Sequence, residues 1–211
     1  MRLWRLALAG SVVLASAQAR TIVLTDTNVT HMAALNDQLP HASWAGWEPS
    51  SGSFTTTLLN LPTVKGILIQ YPLDAIPRAH RIVNAELSLP VYSTQAGARV
   101  YVWRLLVDWG VGVRYLFRRV RPERVEWSVA GADGVGVDRA LEPTNVVVVQ
   151  RGDSHFQLSF NVTKDVELWH AGAAANHGWL LATDENGLFI NFKCPVGQPN
   201  LWQLTITHEP N

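Results

Sequence analysis

The stretch from Phe156 to Leu181, FQLSFNVTKDVELWHAGAAANHGWLL, decides the fold class of this chain. Its first six residues alternate between apolar and polar side chains, which is the period-two pattern of a half-buried β-strand. The apolar run that starts at Trp179 predicts a second strand. Between the two strands the apolar spacing becomes that of a helix. The stretch therefore predicts a strand, one short helix, a loop and a strand.

The helical part is expected to begin at Thr163, whose hydroxyl group can cap the first turn. Val166 and Trp169 are three residues apart and would therefore share one face of a helix. Gly172 is expected to end the turn, and Gly178 to precede the following strand. We predict one short helix near the C-terminal third of the chain.

Most of the remaining chain is predicted to form short strands, at residues 21–24, 54–59, 66–71, 82–89, 99–107, 146–149, 179–182, 188–192 and 201–207. Residues 26–53 are polar and are expected to form a long loop. Val83 is expected to face the core together with Ala85. The valine run at 146–149 is expected to be buried on both faces. The pattern predicts one all-β domain, a jelly-roll β-sandwich.

Residues 1–19 have the pattern of a secretory signal peptide. Arg2 and Arg5 precede an apolar run, and small residues at Ala17 and Ala19 predict cleavage after Ala19. The run is shorter than the roughly 20 residues that span a bilayer. We therefore expect residues 20–211 to form a single secreted or cell-surface domain, with no membrane insertion after signal cleavage.

The composition of residues 20–211 excludes some classes of function. Loss of Arg2 and Arg5 leaves 15 basic residues against 17 acidic ones, a formal net charge of −2. That balance does not favour nucleic acid as a partner. Cys194 is the single cysteine, so no disulfide can form within the chain, and a buried thiol is expected.

Several segments, in chain order, resemble the DNRLRE type of carbohydrate-binding module. The opening stretch resembles its pattern of an apolar strand followed by "dVt..v..W..g...N.Gl.l". The other matching segments are TIVLTDT at 21–27, GILIQYPL at 66–73, IP at 76–77, IVNAEL at 82–87, VYVW at 100–103, DW at 108–109, Trp127 and PNLWQL at 199–204. The string that names the family is absent. The resemblance implies a secreted jelly-roll domain that binds extracellular polysaccharide, sometimes anionic, with no catalytic residue and no cofactor.

An arginine-rich segment, RYLFRRVRPER, is the first candidate ligand site. A guanidinium group presents a planar fork that matches carboxylate or sulfate, so this segment would suit an anionic polysaccharide such as a uronan. The alternative is a solvated strand or loop, with Glu123 and Glu126 as ion-pair partners. The predicted ligand-binding residues are Arg114, Tyr115, Arg118, Arg119 and Arg121.

A tryptophan pair is the second candidate site. Trp44 and Trp47 lie in the predicted long loop and would form a stacking platform for sugar rings. The alternative is that the loop folds both rings under the sandwich. Core packing is the better interpretation for the tryptophans on periodic segments, which are Trp103, Trp127, Trp169, Trp179 and Trp202.

No motif points to a metal or to catalysis. Residues 133–138 are glycine-rich with two carboxylates, but their spacing fits a tight turn better than a structural calcium site. The string at 152–155 lacks the downstream base pair of an esterase. Two alternatives to a binding module stay open: a structural or adhesive surface protein that binds no glycan but assembles with other surface or secreted proteins, and a small polysaccharide hydrolase or lyase with a pair of carboxylates.

Overall fold

The computed structural model describes residues 18–25, 28, 31–41, 44–45, 55–58, 64–150, 155–183, 188, 190–193 and 202–211. Its strands are β1 (Arg20–Thr25), β2 (His31–Asn36), β3 (Trp44–Ala45), β4 (Thr55–Leu58), β5 (Val64–Gln70), β6 (His80–Thr94), β7 (Arg99–Arg104), β8 (Phe117–Arg119), β9 (Val125–Glu126), β10 (Asn145–Val148), β11 (Phe156–Asn161), β12 (Trp179–Thr183), β13 (Ile190–Lys193) and β14 (Gln203–Pro210). The helix is α1 (Thr163–His170).

The strands form two layers that are joined at one end. In the first layer β14 lies between β1 and β6, and β11 pairs with β6 as well. The second layer has the order β2-β5-β12-β7-β10, with β3 beside β2. Strands β13 and β4 connect β6 to β5, and the pairing of β4 with β5 is parallel. The predicted all-β sandwich with one short helix is confirmed.

The second layer separates two apolar cores. Ile67 and Ile69 of β5 face the main core between the layers, whereas Leu68 faces outward. On β12 Leu181 faces the main core and Leu180 faces outward. Both faces of these strands are therefore buried, which explains their continuous apolar runs.

Residues 105–140, named here the cover segment, close the outer face of the second layer. Its buried residues include Leu105, Trp109 and Trp127, which form a second core with Leu68 and Leu180. Strands β8 and β9 form a small hairpin within this segment. The cover segment gives the central strands a second apolar neighbour and carries the predicted arginine site.

Helix α1 lies where the sequence placed it, but the predicted cap is wrong. The N-cap position is Val162, and no side chain caps the helix. The Thr163 hydroxyl instead accepts a hydrogen bond from the Ala85 N–H at 2.8 Å and so links the helix to β6. Val166 and Trp169 are buried as expected, and Gly172 has φ +70° just after the helix end.

Three other local predictions are also wrong. Residues 26–53 include the buried strand β2, which has no period-two alternation because it contacts both cores. Val83 is 44% exposed because β6 bulges there: Asn84 pairs with Thr207, but Ile82 pairs with His208. Strand β10 is half open, with Val146 41% exposed, because it is the last strand of its layer.

Candidate functional site

A cleft of about 320 Å³ opens at the end of β5, beside helix α1. Its lining comes from residues 70–74, which leave the strand, and from Trp169 and Asn176. The helix supplies Trp169, and the loop between α1 and β12 supplies Asn176. The cleft is therefore formed at the end of β5 by segments that are far apart in sequence.

Hydrogen bonds fix the wall between β5 and Asn176. The Gln70 Nε2 donates to the Asn176 carbonyl oxygen at 2.7 Å, and the Asn176 Nδ2 donates to the Tyr71 carbonyl oxygen at 2.8 Å. The Asn176 Oδ1 accepts the Gly178 N–H at 3.0 Å. The first two bonds join the end of β5 to the loop that carries Asn176, and the third lies within that loop. The wall is therefore held in place before any ligand binds.

Gly178 allows the loop to lie directly against β5. Its φ is +76°, and a Cβ atom there would stand 2.1 Å from the Ile69 carbonyl oxygen. A side chain is therefore excluded both by backbone conformation and by contact with main-chain atoms. The close approach of this loop depends on glycine at that position.

Trp169 contributes an indole group with an unpaired donor. The side chain is 7% exposed, and its ring packs against that of Trp179 with centroids 4.7 Å apart. The Trp179 Nε1 donates to the Asp165 carboxylate at 2.8 Å, whereas the Trp169 Nε1 has no hydrogen-bond partner among the described residues. This N–H is itself buried, so Trp169 offers the cleft part of its ring and not a hydrogen-bond donor.

Asp165 holds Trp179, and through it the tryptophan pair, by this hydrogen bond. Its buried carboxylate also accepts the Thr144 hydroxyl at 2.5 Å and lies 3.2 Å from the Arg104 Nε. Burial raises the pKa of Asp165, although the hydrogen bonds from Thr144 and Trp179 and the charge of Arg104 act in the opposite direction. Because its acceptors are engaged, we assign Asp165 a structural role.

Two acceptors in the cleft are unengaged. Asp74 is exposed, and in the described part of the chain its carboxylate makes no ion pair or hydrogen bond. The Gln70 Oε1 has no partner there either, since only the Nε2 of that amide is bonded. The cleft thus presents a carboxylate and an amide oxygen, which can accept hydrogen bonds from hydroxyl groups of a ligand.

The predicted arginine site is partly neutralised. The guanidinium groups of Arg118 and Arg119 both bind the Asp108 carboxylate, and these three residues are named here the arginine surface. Burial alone would raise the pKa of Asp108, but the hydrogen bonds and charges of both arginines hold it below its ordinary value. Glu123, the expected partner, lies 3.5 Å from the Arg119 Nη2. The structure brings together two cations around one anion.

The other predicted ligand residues have different surroundings. Arg114 donates to the carbonyl oxygens of Gly112 and His41, and the half-buried Tyr115 ring lies against Gly131. Arg121 is exposed. Trp44 is in β3, but its side chain and the whole of Trp47 lie outside the described residues. Among the described residues of the predicted set, Arg118 and Arg119 share one carboxylate, whereas Arg114 and Tyr115 contact other groups.

The cleft and the arginine surface are neighbours across the loop at 176–178. The Trp109 Nε1 donates to the His177 carbonyl oxygen at 2.8 Å, which ties this loop to the cover segment. Burial lowers the pKa of the His177 imidazole; the charge of Asp108 opposes this shift and that of Arg118 adds to it. His177 therefore lies within electrostatic reach of the arginine surface.

The glycine-rich turn at 133–138 is structural. Asp138 is 2% exposed and accepts hydrogen bonds from the Ser128 N–H and hydroxyl, the Val129 N–H and the Gly134 N–H. A carboxylate so fully engaged serves the turn and not a bound ion. In the part of the chain that the structure describes, no group of three or more His, Cys, Asp or Glu residues is arranged to hold a metal.

Sequence reasoning missed the cleft residues Gln70, Asp74 and Asn176. Gln70 lies in the segment 66–73, and Asn176 is the asparagine two residues before Gly178. Both are part of the resemblance to the family pattern, but neither was predicted as a ligand-binding residue. No protein-family model and no curated protein sequence matches the chain. Among the residues that the structure describes, no helix has the length and apolar character needed to cross a membrane.

Proposed function

We propose that this chain is a secreted, non-catalytic module that binds polysaccharide outside the cell or at its surface, with the cleft as the ligand site. One observation carries the proposal. Unengaged acceptors of Gln70 and Asp74 meet in a preformed cleft on the sandwich, beside the Trp169 ring. Sugar hydroxyls donate hydrogen bonds to such acceptors. The resemblance to DNRLRE-type modules adds support.

The dimensions of the cleft favour a short part of a glycan chain. A volume of about 320 Å³ is at the lower end of the roughly 300–1,000 Å³ that is typical of small-molecule pockets. The rest of a polysaccharide would then extend over the surface beside the cleft. One direction leads across residues 176–178 to Arg118 and Arg119, where an acidic sugar would find two guanidinium groups.

Affinity gels that contain neutral or acidic polysaccharides test this proposal. Gln70→Ala removes an unengaged cleft acceptor, and Gln157→Ala makes the same change at an exposed position on β11. We expect Gln70→Ala to lose retention on the gel that retains the wild-type protein, and Gln157→Ala to keep it. Retention with the polysaccharide left uncut supports a binding module, and cleavage of the polysaccharide supports the hydrolase or lyase alternative.

An adhesive function is the second candidate, and one observation favours it. Apolar side chains are exposed at Leu141, Val146 and Val148, at 71%, 41% and 40%, along the edge that ends in β10. Groups of exposed apolar residues mark protein-interaction surfaces. Absence of retention on every glycan gel, together with self-association in sedimentation velocity, would move the assignment to an adhesive module.

A further inference from the structure

We propose that the cleft prefers sugars with a free, positively charged amino group over neutral or acidic sugars. The inference rests on the proposed function and names the ligand class of the same site. Among the described residues that line the cleft, Asp74 is the one with a formal charge. Its carboxylate is exposed and unpaired within the described chain, so it is available to a cation.

The other polar groups of the cleft add to this preference. The Gln70 Oε1 is a second unengaged acceptor, whereas the Asn176 Nδ2 already donates to the Tyr71 carbonyl oxygen. An ammonium group has three N–H donors and no acceptor, so it matches a carboxylate beside an amide oxygen.

The position of Asp74 is fixed by its turn. The Ile76 N–H donates to the Leu73 carbonyl oxygen at 3.0 Å, which closes a turn that contains Asp74. Ile76 is 4% exposed and belongs to the main core, so the turn is anchored to the sandwich. The backbone that carries the carboxylate is thus held by the sandwich.

The same charge disfavours acidic sugars within the cleft. A uronate placed there would bring a second carboxylate toward Asp74 without a lining cation to compensate. Acidic sugars would instead meet Arg118 and Arg119 on the arginine surface. The two neighbouring regions would therefore distinguish sugars by the sign of their charge.

Calorimetric titration with matched oligosaccharides tests the proposal. The probes are glucosamine oligomers with free amines, the N-acetylated oligomers of equal length and a uronate oligomer, at a pH where the amine is protonated. We expect the wild-type protein to bind the free-amine oligomer up to about fivefold more tightly than the acetylated one, as for a partly exposed ion pair. Asp74→Asn should abolish that preference by weakening the binding of the free-amine oligomer more than that of the acetylated one.

A matched variant controls for the general charge of the protein. Glu167→Gln removes one negative charge from the exposed side of α1 and should keep the preference. Equal binding of both oligomers by the wild-type protein, or a preference that survives Asp74→Asn, would overturn the inference while the proposed function stands. If no sugar of any class binds, the proposed function fails and the inference fails with it.

Discussion

The cleft and the arginine surface lie on two sides of the loop at residues 176–178. Their polar groups differ in whether they already have partners within the chain. In the arginine surface, Arg118 and Arg119 are already paired with Asp108. In the cleft, Asp74 and the Gln70 Oε1 have no partner within the described chain. The region with more charge thus has less capacity left for a ligand, so charge density in a sequence is a poor measure of binding capacity.

Gly178→Ala should disrupt both the cleft and the arginine surface and cause the largest loss of stability. The new Cβ would stand 2.1 Å from the Ile69 carbonyl oxygen in a backbone conformation that disfavours side chains. We expect a loss of more than about 2 kcal/mol in unfolding free energy. Gly172→Ala is the matched control, because φ is +70° but nothing lies within 4 Å, and about 1 kcal/mol is expected. Equal losses in urea denaturation would contradict the close contact at Gly178.

A pair of Trp→Phe variants separates the engaged indole from the unengaged one. Trp179→Phe removes the indole donor of the buried Asp165 carboxylate, which keeps Thr144 and Arg104, at a cost of about 1–3 kcal/mol beyond the loss of volume. Trp169→Phe removes the same volume but breaks no hydrogen bond within the described chain. We therefore expect Trp179→Phe to be the less stable variant in thermal unfolding. The reverse order of stability would show that the Asp165 contact is unimportant.

Asp108→Asn would make the arginine surface resemble the cleft by releasing both guanidinium groups from their carboxylate. Asp108 is 55% exposed at its side chain, so the effect on stability should be within about 1 kcal/mol. Binding to an acidic polysaccharide should become up to about fivefold tighter and more salt-dependent, since exposed charges are screened over about 10 Å at 0.1 M salt. Affinity electrophoresis at two salt concentrations measures this. Unchanged migration would exclude the arginine surface from the site.

Acidification should add a positive charge beside the arginine surface. The His177 pKa is lowered, so the imidazole is neutral at pH 7 and gains its proton only as the pH falls below about 6.5 and through the lowered value. The new cation near Asp108 should strengthen retention of acidic polysaccharide by about twofold, and His177→Gln should abolish that gain. A gain that persists in the variant would assign it to another group.

Folding must be monitored in the same pH range. Burial lowers the pKa of His208, and the charges of His80, Arg20 and His170 act in the same direction. A lowered histidine pKa contributes stability that is present above the unfolded value of about 6.5 and is lost as the pH falls through the folded value. Circular dichroism at each pH therefore defines the range in which the retention assay is valid.

The regular elements could be predicted because their burial follows a local period. Trp202, Leu204 and Ile206 alternate along the C-terminal strand and are all fully buried. Val166 and Trp169 have helical spacing, and the structure has a helix there. Such periodic patterns are visible in the local sequence, so they can be recognised without knowledge of tertiary contacts.

The second core and the cleft could not be predicted in this way. Trp109 and Trp127 of the cover segment pack on Leu68 and Leu180, and no periodic pattern marks such contacts between distant segments. The cleft likewise depends on residues 70–74 meeting Asn176 through hydrogen bonds. The arginine run was visible because its charges are consecutive, but its partner Asp108 lies ten residues before Arg118.

The second layer of strands lies between the two cores, and this position affects the order in which the chain folds during synthesis. The cover segment leaves the ribosome before strand β12, which supplies Leu180 to its underside. Until that strand pairs with β5 and β7, Trp109 and Trp127 lack part of the apolar surface that buries them. Nascent chains that end before β12 would therefore expose these rings, and the arginine surface would gain its final geometry only when the C-terminal third has emerged.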